Sequence, residues 1–148
     1  MKKLLVIAVF TALVACDRGP PITTASGKPD VVMRAVDRAC VRENILNNLL
    51  TSGWNIKSTS EVQIVVERQA PPSVAAALLS TGYSGAPYQR VTFNLVPSGP
   101  DLRLVADMAW VSNANTRFEK VHPAQANAND QAAAESSARR AEVKCAQK

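Results

Sequence analysis

The chain has 148 residues and a formal charge of +5, with 47% hydrophobic but only 5% aromatic side chains. That length suits a single domain with its own core. The basic residues form no long run and sit in no known RNA- or DNA-binding motif, so composition argues against a nucleic-acid partner.

The first feature in chain order is a leader. Lys2 and Lys3 precede an uncharged apolar run over residues 4–15, a basic n-region followed by an h-region. A spanning helix needs about 20 apolar residues, so this run is too short to cross a bilayer and reads as an export address. It closes on Leu13, Val14, Ala15 and Cys16, which resemble the lipobox of bacterial lipoprotein precursors. The resemblance covers the leader alone. It implies removal of residues 1–15 and a mature chain that starts at Cys16. It also implies a diacylglyceryl group on the Cys16 thiol and an acyl chain on its amine, with no other cofactor. Two acyl attachments hold a protein stably to a membrane where one does not, since each buried methylene contributes about 0.8 kcal/mol. The expected location is therefore the cell membrane, on its periplasmic side. Asp17 resembles the inner-membrane retention signal of enteric lipoproteins, with the outer membrane as the other destination.

Residues 16–29 then read as a lipidated flexible tether, because "DRGPPITTASGKP" is rich in Pro, Gly, Ser and Thr and has no apolar period. Fully extended, it reaches at most roughly 45 Å. Residues 30–148 are expected to form one globular domain. Asp30 after Pro29 predicts an N-cap, and Val32, Val36, Ala39, Leu46 and Leu50 give a helical stripe joined by Ala35, Cys40 and Leu49. A long helix ending at Gly53 follows. Glu43 falls in the middle of its apolar face.

The next stretch, residues 54–68, predicts a hairpin. Trp54 and Ile56 alternate, residues 57–60 break the pattern, and Val62, Ile64 and Val66 resume it. Pro71 and Pro72 end it, a brief helix follows to Gly82, and the loop "GYSGAPY" leads into the clearest element. There Val91, Phe93 and Leu95 alternate with polar residues before a turn at 97–100, and Leu102, Leu104, Ala106, Met108 and Trp110 return on the same face. With residues 97–100 as the loop, Phe93 opposes Leu104 and Arg90 opposes Asp107. After a polar stretch, an alanine-rich helix is expected from Gln131, with Ala134, Ala138, Ala141 and Cys145 on one face.

Three cysteines leave one over in a secreted protein. If lipid occupies Cys16, as the lipobox implies, Cys40 and Cys145 remain to pair in the oxidising periplasm, the alternative being two buried thiols. Such a bond closes a loop of about 100 residues and stabilises by up to about 4.7 kcal/mol. The predicted fold is α+β: a mainly antiparallel sheet of two hairpins with a long N-terminal helix and an Ala-rich C-terminal helix on one face.

Chemistry is sparse. Ser84 lies in "GYSG", which misses the G-x-S-x-G spacing and strand-to-helix setting of a nucleophile elbow. His122 is the lone histidine, and no Cys or His cluster has metal-ligand spacing. The sequence thus points to no catalytic residue and no metal, and to an accessory protein-interaction module of the cell envelope rather than an enzyme. Tyr83, Tyr88 and Arg90 are the candidate contacts with an envelope protein partner, since aromatics among small residues offer area on an adaptable loop. One alternative is a small-ligand or glycan binder using the polar face of the sheet. Another is a hydrolase, which requires His122 within reach of a hydroxyl.

Overall fold

The computed structural model describes residues 20–72, 74–80 and 85–146. The leader, Cys16, Asp17, Tyr83 and Ser84 lie outside the described residues. Six strands form one antiparallel sheet: β1 (Asp30–Met33), β2 (Asn55–Thr59), β3 (Gln63–Gln69), β4 (Tyr88–Ser98), β5 (Asp101–Ser112) and β6 (Lys120–Pro123). Among the described residues three helices accompany it: α1 (Arg38–Thr51), α2 (Val74–Leu79) and α3 (Ala128–Cys145). The strand order is β1-β5-β4-β3-β2, and β6 follows β1 along the same edge of β5.

This architecture corrects the expected one of two hairpins under a long N-terminal helix. Residues 30–33 are not helical; they pair with β5, Asp30 opposite Val105 and Met33 opposite Leu102. Two consecutive β-branched residues, Val31 and Val32, favour the strand, and the long β5 offers them an edge. Ala35 then adopts a left-handed φ of 47°, which interrupts any helix. The cap is Asp37, whose carboxylate accepts from the Cys40 N–H at 2.7 Å. With the start moved, the inward face changes: Val41 and Asn44 are buried, whereas Glu43 and Leu50 are exposed. Gly53 ends the turn after α1 at φ 77°.

Two smaller corrections concern the sheet. The β4–β5 loop is two residues, not four, so Ser98 opposes Asp101, Phe93 opposes Ala106 and Arg90 opposes Ala109. Gly99, at φ 58°, supplies the positive φ that such tight turns demand. The pairing moves by two residues, an even number, so every side chain keeps the face the alternation assigns to it. The second correction is β6, which lies in the stretch read as polar and irregular.

The core lies between the sheet and α1 with α3. Ile64, Val66, Val91, Leu95, Leu104 and Met33 are buried from the sheet, and Val41, Ala138, Ala141 and Cys145 meet them from the helices. Cys40 and Cys145 are joined as a disulfide, with Cα atoms 5.6 Å apart. Beside it, the Asp37 N–H donates to the Cys145 carbonyl at 2.8 Å. Residues 20–29, read as part of a free tether, are seated on the domain. The Ala128 N–H donates to the Pro20 carbonyl at 2.9 Å, Pro21 bridges to Asn127, and Lys28 pairs with Asp107 at 2.6 Å. Among the described residues, no helix is long and apolar enough to cross a membrane.

Candidate functional site

Alanine reaches no further than its Cβ, so α3 cannot fill the space between itself, α1 and the sheet. A cleft of about 380 Å³ remains there. Ala133, Ala134, Ser137 and Ala141 form the α3 wall, and Asn44, Ile45, Asn48, Leu49 and Ser52 form the α1 wall. Its floor is the sheet: Val91 and Phe93 from β4, then Leu104, Ala106 and Met108 from β5. The disulfide ties the start of α1 to the end of α3 beyond this cavity. Volume and character match ligand sites, which are mostly apolar with a few placed polar groups.

Those polar groups are specific. Arg68 donates from Nε and Nη2 to the Gln89 Oε1 at 3.2 and 3.1 Å, and its guanidinium stacks 4.3 Å from the centre of the Trp54 ring. Arg140 donates to Ser136 and Ser137 on its own helix. Neither arginine has a carboxylate within ion-pair reach among the described residues. Asn44 is only 8% exposed; its Oδ1 accepts from Asn48 Nδ2 at 2.9 Å. The Asn44 Nδ2 has no protein partner among the described residues, and no fully enclosed side-chain donor lacks one, so this amide opens on the cleft. The acidic residue in the wall, Asp130, accepts from the Asn127 N–H in the α3 capping box.

The opposite face, away from α1 and α3, carries a charge cluster. Glu67 is 4% exposed and pairs with Arg90, which also holds Glu119 at 2.6 Å; Lys57 stands 3.6 Å from both carboxylates. The hydrogen bond from Arg90, then that from the Asn115 N–H, hold the Glu119 carboxyl below its ordinary value. At the β1 edge the hydrogen bond from Arg103, aided by Ser26, lowers Asp30 likewise. Of the candidate contacts named from sequence, Arg90 is engaged inside this cluster and Tyr88 is half-buried opposite Gln69 and Val111. Neither lines the cleft, and Tyr83 is outside the described residues. The sequence does not single out the cleft, although its signal is there: a helix whose inward positions are alanine leaves room.

His122 does lie within reach of a hydroxyl: its Nε2 is 3.1 Å from the Ser112 Oγ, across the β5–β6 pair. Ser112 is 8% exposed, and no carboxylate hydrogen-bonds to His122 among the described residues. Among those residues no group of three His, Cys, Asp or Glu side chains is placed to hold a metal ion. Compared with protein-family models, curated proteins and solved structures, the chain finds no match.

Proposed function

We propose that this chain is a lipid-anchored, periplasm-facing accessory module of the bacterial cell envelope, one that binds rather than catalyses, with the cleft between α1 and α3 as its working surface. The observation that carries this reading is the cleft, an apolar space left open by alanines and edged by arginines that have no acidic partner among the described residues. The lipobox resemblance at Cys16 supports the anchor. A tethered binder meets its target at the high local concentration that confinement confers. The test is in-cell crosslinking with a photoreactive residue at Ala133, on the exposed α3 side of the cleft. One dominant adduct is expected there and none from Asn94 on the face away from α1 and α3; equal or absent adducts at both positions overturn the proposal.

The hydrolase reading retains one observation in its favour, the Ser112–His122 hydrogen bond. A nucleophile of that class needs an accessible Oγ and an oriented base. A fluorophosphonate probe decides between the readings. No adduct on Ser112 is expected, and a stoichiometric adduct lost in S112A establishes the hydrolase instead.

A further inference from the structure

The strand register orders the floor of the cleft. Arg68 lies opposite Gln89 at one end; Val91 paired with Met108 comes next, then Phe93 with Ala106, and finally Leu104, the partner of the buried Leu95. One polar rung is thus followed by three apolar ones over a length of about 20 Å, at about 3.4 Å per residue. Above the polar rung, Arg68 keeps Nη1 without a protein partner among the described residues, and Trp54 fixes the plane of the guanidinium. A half-buried guanidinium held in place and lacking a counter-charge is matched by a carboxylate or phosphate. An apolar slot leading away from it is matched by a hydrocarbon chain.

The position of the cleft identifies the source. The segment entering the domain is bonded at Pro20 to Ala128, the first residue of α3, and Asp130, Ala133 and Ala134 of that same end line the cleft. Cys16 precedes Pro20 by four residues, and four links reach at most about 14 Å. On the lipid-anchor reading, on which this inference rests, the α3 end of the cleft is therefore held near the headgroups rather than at the end of a long leash.

We propose that the cleft takes a single-chain acidic amphiphile from the bilayer, its acid group on Arg68 and its chain along Val91, Phe93 and Leu104. A volume of about 380 Å³ is at the lower end for ligand sites and suits one chain rather than two.

The test uses the full protein, extracted from cell membranes and returned to phosphatidylcholine vesicles. In W110F the remaining tryptophan, Trp54, lines the cleft and reports occupancy. A dibrominated fatty acid is expected to quench it saturably, while the matching fatty alcohol and a dibrominated phosphatidylcholine do not. Arg68→Ala should raise the half-quenching concentration at least about tenfold, as loss of a charged hydrogen bond does. Arg68→Lys should recover part of it. Ala134→Leu, which fills the slot without touching Arg68, should abolish saturation. Equal quenching by the alcohol overturns the assignment of the acid group to Arg68, and equal quenching by the two-chain lipid, or none by any probe, overturns the site. An intact mass taken on the same sample separates the two readings: saturable quenching in a protein without lipid on Cys16 overturns the bilayer source and the anchor, but leaves the ligand class standing.

Discussion

The charged side chains divide the molecule more sharply than the apolar ones. On the face away from α1 and α3, Arg90 is spent on Glu67 and Glu119, so its cost when removed is structural. Glu67, at 4% exposure, would keep a buried charge with Lys57 as its one cation among the described residues. R90A is therefore expected to lower unfolding free energy by about 3 kcal/mol, the range for breaking one side of a buried pair; chemical denaturation measures it, and a loss under half that size places the cluster in water. Glu119 and Asp30 give the pH dependence its sign. A carboxyl whose folded pKa is lowered stabilises the fold fully above its unfolded value and ceases to do so as pH falls through the folded one. The thermal midpoint should hold from neutral pH to about pH 5 and drop below about pH 4. E119Q should shrink that drop; an unchanged acid limb would remove Glu119 from the account.

Among the elements, alternation proves more legible than helical periodicity. Val91, Phe93 and Leu95 face the helices with Leu104 and Ala106 as their pattern requires, even though a two-residue turn at Gly99 shifts the pairing. A face depends only on parity, whereas register depends on turn length. Residues 30–53 read as one helix because Val32, Val36 and Ala39 recur at helical spacing, yet in the fold Val36 is buried while Val32 and Ala39 are exposed. What settles the matter is the free edge of β5, a long-range partner that local sequence does not contain. β6 escapes for the same reason: Lys120, Val121 and His122 have no strong strand pattern and are ordered by pairing with residues 110–112. The choice between Asp30 and Asp37 as the cap is measurable. D37A should cost about 1 kcal/mol through loss of the bond to the Cys40 N–H, read by denaturation with the helical signal. A neutral D37A would contradict the helix start assigned here.

For the whole molecule, the alanines of α3 explain two features together. They bury little, so the helix relies on the Cys40–Cys145 tie, and they leave the cleft open. The need for a tie is readable from composition; the cleft is not, because its far wall and floor come from segments scores of residues away in sequence. Peptide mapping without reductant should find Cys40 and Cys145 in one linked pair, and C40A/C145A should lose stability by up to about 4.7 kcal/mol. Free thiols on both residues would leave α3 without its clamp. The docked segment from Pro20 to Pro29 makes the same point about reach: a stretch composed like a linker is held by Ala128, Asp107 and Ala106. With the proposed anchor at Cys16, this docking would keep the domain close to the membrane.

That attachment is the premise of the functional account, and the mass of the mature chain taken intact from cell membranes tests it most directly. The account predicts a polypeptide that begins at Cys16 and carries a diacylglyceryl group with an added acyl chain. A water-soluble product of unmodified mass, starting at any other residue, would contradict it.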